Sequence, residues 1–140
     1  MPTHAPGRPE AVFRQGLAFL RAKDMPGFIG LFADDAVVEF PFAPPGRPRR
    51  LDGRGAVHDY LIDYPDTFDV HRVDVDTVHR TADPEVIVAE FSAQGTVVAT
   101  GEPYESPYVA VLTVRDGRIA HYRDYWNPLL ALAADGGAEA

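Results

Sequence analysis

The sequence contains no cysteine, so disulfides, thiolate metal ligands and a cysteine nucleophile are excluded from the outset. Basic residues are scarce: 13 Lys and Arg stand against 21 Asp and Glu, for a net charge of −8. A surface of that sign repels phosphate backbones and anionic bilayers, and the short cluster Arg47, Arg49 and Arg50 does not reverse it. Neither nucleic acid nor membrane is therefore expected as a partner. No stretch reaches the roughly 18 consecutive apolar residues of a membrane span. Met1 to Pro9 has no apolar core of signal-peptide length, so a soluble, cytoplasmic protein is expected. Also missing are HExxH or similar metal-ligand spacing, a glycine-rich phosphate loop, a Gly-x-Ser-x-Gly elbow and a dinucleotide fingerprint. No metal, no cofactor and no serine nucleophile is expected.

What is present suits one small α+β domain over residues 1–140, with 1–8 and 135–140 expected to be flexible. Eight Phe, six Tyr and one Trp are plentiful for lining a cavity. From Pro9 to Lys23, Phe13, Leu17 and Leu20 recur at helical spacing beside Val12 and Gly16, which predicts a first helix. Asp24 is placed to cap a second, with Pro26 in its first turn and Phe28, Leu31 and Phe32 on one face, ending at Ala33-Asp34-Asp35. Val37 to Phe40 is β-rich and stops at Pro41, and the proline-rich Ala43 to Pro48 is neither helix nor central strand. Gly53 to Ile62 predicts a third helix.

The period then changes. Val70, Val73, Val75 and Val78 mark a strand, and Thr81 to Pro84 is turn chemistry before a second strand from Val86 to Thr100, which Gly95 is expected to bulge or bend. After Gly101-Glu102-Pro103, Tyr104 to Val114 returns antiparallel. Asp116-Gly117 is the strongest hairpin signal in the chain, followed by a strand from Arg118 to Trp126. Asn127-Pro128 predicts a capped terminal helix, Leu129 to Ala134. Helices followed by a run of antiparallel strands predict helices covering one face of a single curled sheet.

Four strings carry a resemblance: Phe32-Ala-Asp-Asp-Ala-Val-Val-Glu-Phe-Pro41, the Gly53-Arg54 helix start, Asp116-Gly117-Arg118-Ile119, and Arg123-Asp-Tyr-Trp-Asn-Pro128. In that order and spacing the chain resembles SnoaL-like, ketosteroid-isomerase-like proteins of the nuclear transport factor 2-like superfamily, over essentially its whole length. The resemblance implies a cone of about three helices packed on a curved, mixed, mainly antiparallel sheet around an apolar pocket, and a homodimer. The superfamily holds ketosteroid isomerases, polyketide cyclases, epoxide hydrolases, dehydratases and members that only bind, so the function has to be read from the site.

The ketosteroid isomerases carry a general-base aspartate at the position of Phe40, so that base is missing here. Glu39 points to the opposite face of a regular strand unless a bulge turns it inward; the alternative is an edge carboxylate meeting Arg49 or Arg54. A two-residue Asp116-Gly117 turn puts Val109, Val111, Tyr122, Asp124 and Trp126 on one face, with Tyr108, Leu112, His121, Arg123 and Tyr125 on the other. The closing string also resembles limonene-type epoxide hydrolases, which places Asp124 in the pocket. Between Tyr122 and Trp126 it would be desolvated and able to serve as acid or base; the alternative is a structural carboxylate held by Arg123 or Arg54. The second aspartate and the arginine of that group have no counterpart on Val109 to Leu112.

Glu90, in an apolar strand, either faces Asp124 as an acid/base pair or forms a structural ion pair or dimer contact. His121 is a secondary candidate base. Catalytic candidates are therefore Asp124, Glu39, Glu90 and His121, and substrate-binding candidates Phe40, Arg54, Tyr104, Tyr108, Tyr122, Trp126 and Asn127. The Pro44 to Pro48 loop, with its arginines, is expected to rim the opening and hold an acidic or phenolic group. These residues point to an isomerase or cyclase using acid/base catalysis on a polyketide-like, hydrophobic small molecule. The alternatives are epoxide ring opening and non-catalytic binding of a hydrophobic ligand.

Overall fold

The computed structural model describes residues 8–129. Helix α1 (Arg8–Arg21) buries Val12, Phe13, Gly16 and Leu17 on one side, as their spacing predicts, and Arg8, expected in a flexible end, is already helical. The chain turns at Lys23, whose backbone is left-handed (φ 61°) and whose ammonium meets Asp69 at 2.8 Å. Asp24 caps α2 (Met25–Ile29), its Oδ1 accepting from Gly27 N at 2.9 Å. This helix is shorter than its apolar spacing suggests. Ile119 N donates to Leu31 O at 2.9 Å, so sheet pairing captures the chain there and Phe32 opens β1 (Phe32–Glu39) instead of closing a helical face. Ala33 to Asp35, read from sequence as a helix stop, lie where β1 shifts register against its neighbour, between Phe32 and Val37.

After β2 (Arg50–Asp52), Gly53 with φ 92° leads into α3 (Arg54–Leu61), and a 3-10 turn (Tyr64–Asp66) precedes the long strands. These are β3 (Phe68–Arg80), β4 (Val86–Val97), β5 (Pro103–Arg115) and β6 (Arg118–Tyr125). The sheet order is β2-β1-β6-β5-β4-β3, with β1 and β6 parallel and every other pair antiparallel. Among the described residues, three helices of a full turn or more on a six-stranded mixed sheet that does not close give the α+β cone that the family resemblance implied. The expected terminal helix beyond Leu129 and the flexible ends, save Arg8, lie outside the described residues.

One core joins the helices to the inner face of the sheet. Phe13 of α1 meets Phe91 of β4 edge-on at 5.3 Å, and Phe32, Ala36, Val57, Ala89, Leu112 and Ile119 are all but inaccessible. Burying each large apolar side chain contributes about 1.5–3 kcal/mol. Alternation along β4 separates the faces: Ile87, Ala89, Phe91 and Ala93 point inward, while Val88, Glu90, Ser92 and Gln94 point outward.

The irregularity expected at Gly95 sits opposite it. β3 shifts register between Val70 and Arg72, and Gly95 lets that bulged strand come close. A Cβ on Gly95 would collide with the Asp69 carbonyl oxygen. Gly95→Ala is therefore expected to cost about 2 kcal/mol of stability, read as a lower urea midpoint at unchanged slope; an unmoved midpoint would show that β3 can yield.

Candidate active site

One inserted residue decides what the inner face of the last hairpin carries. Asp116 (φ 52°) and Gly117 (φ 79°) make the turn, Arg115 pairs with Arg118 and Val114 with Ile119, but Ala120 is then extra and Thr113 pairs with His121. From there Leu112 lies opposite Tyr122, and Ala110 opposite Asp124. Period-two alternation correctly groups Tyr122 with Asp124 and Trp126. The regular hairpin assumed from sequence misplaces β5, because the bulge brings Tyr108 and Leu112 to Asp124's face and turns Val109 and Val111 outward.

Tyr108, Tyr122, Asp124 and Trp126 line a cavity of about 340 Å³ between sheet and helices. That is the lower end of the range for small-molecule sites. Helices α1 and α2 contribute Leu17, Leu20, Met25 and Phe28, and the chain after α3 contributes Asp63, Tyr64 and Thr67. Phe40, at the end of β1, meets Tyr60 at 5.2 Å and Trp126 at 6.1 Å between ring centres. Of the basic cluster, Arg47 alone reaches the cavity; Arg49 donates to Pro41 O at 3.1 Å and Arg50 pairs with Asp52 at 2.9 Å.

Asp124 is the unusual group. Its Oδ1 is buried with no hydrogen-bond partner, and desolvation pushes its pKa up to about 7. Asp124 and Tyr122 are enclosed by protein yet keep some accessible surface, and that surface is the cavity wall. Burial also lifts the phenols of Tyr64, Tyr108 and Tyr122, and the Asp124 charge adds to each shift. They stay protonated at neutral pH and so remain hydrogen-bond donors. The Tyr108 hydroxyl interacts with those of Ser106 and Tyr64, and its ring stacks on Phe91 at 5.2 Å. Ser106 is 1 % exposed.

Several expected site residues lie elsewhere. Glu39 stays on the outer face, where its Oε1 meets His121 Nε2 at 2.6 Å, so neither lines the cavity; its partner is this histidine and not Arg49 or Arg54. Glu90 is likewise outside, half-exposed and 2.6 Å from His79, so it neither faces Asp124 nor is buried. Both follow from the two-residue period of β1, β4 and β6. Arg54 is held at the start of α3 by Asp34 at 2.6 Å and the Phe32 carbonyl at 3.2 Å, away from the cavity and from Asp124. Tyr104 sits behind the wall against Phe68, ring centres 5.0 Å apart. Its hydroxyl lies near enough to Tyr64 to affect that group but makes no hydrogen bond. Asn127 lines the cavity, and its Oδ1 also accepts from Leu129 N at 2.9 Å as the expected cap.

Sequence reading missed Tyr60, Asp63, Tyr64 and Ser106. The first three follow from how α3 and its exit pack; Ser106 could have been found, two residues from Tyr108 on the same face of β5.

A carboxyl whose folded-state pKa lies above its unfolded value of about 3.9 makes the native state the better proton binder, so stability falls as pH rises from about 4 to about 7. Asp124→Asn removes that dependence. The variant is expected to be more stable than wild type at about pH 8, by up to ~4 kcal/mol, with the gap closing below about pH 4. A gap independent of pH would contradict the assignment.

The SnoaL-like domain profile matches residues 13–122. The protein YesE of Bacillus subtilis, itself uncharacterised, is 44 % identical over 125 residues, covering 89 % of this chain and 85 % of its own length. A crystal structure of a Bacillus subtilis protein whose isomerase name is provisional is 42 % identical, with a TM-score of 0.89, over 93 % of this chain and 94 % of its own. A Mycobacterium tuberculosis protein in complex with estradiol-17β-hemisuccinate shares the fold at 21 % identity, with a TM-score of 0.75 over 87 % of this chain and 95 % of its own. With a match across most of its length and a relative this similar, the chain belongs to the SnoaL-like domain family.

Proposed function

We propose that this chain is an isomerase- or cyclase-type enzyme that moves a proton on an apolar, oxygen-bearing small molecule, with Asp124 as the acid/base group. One observation carries the reading: a desolvated carboxyl with an unpaired oxygen lies on the wall of an aromatic cavity. Near neutral pH both its forms are populated, which suits a group that takes a proton and returns it. As carboxylate, Asp124 takes a proton from carbon next to a carbonyl, and the electron pair moves onto the carbonyl oxygen. Tyr108 or Tyr122 donates a hydrogen bond to the enolate that forms, and protonated Asp124 then delivers the proton to the new position. The substrate is polyketide-like in this reading. The isomerase name of the similar Bacillus subtilis structure agrees with the reaction class, though that name is itself provisional.

Epoxide opening has less support, since β5 offers Tyr108, Ala110 and Leu112 beside Asp124 and neither acid nor arginine. Ligand binding without turnover is the second reading, favoured by the complex that the Mycobacterium tuberculosis relative forms. The outer sheet face, where Val109 is exposed beside Val111, is where a second copy would pack in a homodimer.

Across a panel of polyketide-like ketones, Asp124→Asn is expected to lower kcat by about 10²-fold or more while ligand affinity changes little. With Asp124 acting as base, kcat/KM rises with pH and levels above about 7. Tight binding by wild type with no turnover across the panel would leave the binding-protein reading standing.

A further inference from the structure

We propose that the cavity takes a second class of ligand, a small hydrophobic tertiary amine, whose ammonium group stands against Asp124 and whose alkyl groups lie among the aromatic rings around it. The carboxyl Oδ1 is buried with no hydrogen-bond partner, and the part of Asp124 that stays accessible faces the cavity, so a ligand meets the carboxyl from that side. An ionised carboxylate only accepts hydrogen bonds, and a ketone oxygen likewise only accepts them. A protonated amine supplies the two things Asp124 lacks, an N–H donor and a positive charge, and a hydrogen bond between charged partners is the stronger kind. A tertiary ammonium has a single N–H, which suits one carboxyl reached from one side, and its carbon substituents need no polar partner.

The surroundings suit such a cation. Tyr122 and Trp126 stand two residues to either side of Asp124 and line the same cavity. Phe40, just past β1, lies 6.1 Å from Trp126 and 5.2 Å from Tyr60 of α3 between ring centres. Aromatic ring faces attract a cation, more strongly where water is excluded. Helices α1 and α2 face this space with Leu17 and Phe28, and β4 faces it with Phe91, none of which titrates. Burial keeps the phenols of Tyr64, Tyr108 and Tyr122 protonated at neutral pH, so they add no charge. Among the described lining residues the other formal charges are Asp63 and Arg47, whose Nη1 donates to Tyr60 Oη at 3.4 Å. These two are opposite in sign, which leaves ionised Asp124 as the excess charge. A chain of net charge −8 also draws cations towards it.

Asp124 holds the cation as a carboxylate, so binding and protonation oppose each other. Where the free protein carries a proton at Asp124, binding an ammonium releases it. Affinity therefore climbs with pH to about 7, the value to which burial raises this carboxyl, and levels above it for as long as the amine stays protonated. The proposal rests on the cavity being a ligand site and not on proton transfer to a substrate.

Titration followed by the emission of Trp126, the only tryptophan of the sequence and a cavity residue, tests it. The probes are N,N-dimethylcyclohexylamine, protonated across the range used, and 2-cyclohexylpropan-2-ol, a neutral molecule of nearly the same shape. At about pH 8 wild type is expected to bind the amine roughly tenfold more tightly than the alcohol. At about pH 6 the amine is expected to bind about tenfold more weakly than at about pH 8, with the alcohol moving less than about twofold. Asp124→Asn should remove both the preference and its pH dependence while still binding the alcohol. The proposal is overturned if wild type binds the amine no more tightly than the alcohol at the higher pH, if amine affinity is the same at the lower pH, or if Asp124→Asn weakens both probes equally. An amine without advantage over the alcohol, in a protein that still turns over ketones, sinks this proposal alone. An amine preference without ketone turnover sinks the enzyme reading alone.

Discussion

A carboxyl group enclosed by protein with no hydrogen bond to one of its oxygens cannot ionise at its ordinary pH, and the rest of the site is arranged around that fact. Among the described residues Asp124 has no cation beside it to offset desolvation: Arg123 points outward, Arg54 is held by Asp34, and Arg47 donates to Tyr60. Its neighbours are phenols and apolar rings. A nearby guanidinium would have restored an ordinary carboxylate and a more stable protein. What remains is a carboxyl with a pKa raised to about 7, so that its protonated and ionised forms are both populated near neutral pH.

The sheet maintains this state by sorting charge. Its outer face carries Glu39 with His121 and Glu90 with His79, part-exposed pairs of the kind that add little to stability. Its inner face carries Asp124 and otherwise hydroxyls, aromatic rings and aliphatic side chains. The Ala120 bulge is the small irregularity on which that sorting depends, since without it Val109 and not Ala110 would lie opposite Asp124. The larger Tyr108 would then leave the cavity.

Much of this was legible in the sequence because it obeys local periods. The spacing of Phe13, Leu17 and Leu20 placed α1, Asp24 marked a helix start, Asp116-Gly117 marked the hairpin, and alternation in β6 put Tyr122, Asp124 and Trp126 together. Phe40, a binding candidate from the sequence, lines the cavity, and of the arginines in and beside the Pro44 to Pro48 loop only Arg47 does. The failures have tertiary causes. No local signal announces an extra residue at Ala120, so the β5 partners were misassigned. Glu39, Glu90 and His121 looked chemically suitable, but an even or odd position in a strand, and not residue type, decided which side they took. Tyr60, Asp63 and Tyr64 come from a helix end and a 3-10 turn whose approach to the sheet has no sequence period.

The central claim, that Asp124 holds its proton near neutrality because of burial, is most directly tested by carbon-13 NMR of the aspartate side-chain carboxyls across a pH titration. One resonance is expected to titrate near pH 7 and to be absent from Asp124→Asn. If every aspartate has finished titrating below about pH 5, as ordinary carboxylates do, the account of the site is contradicted.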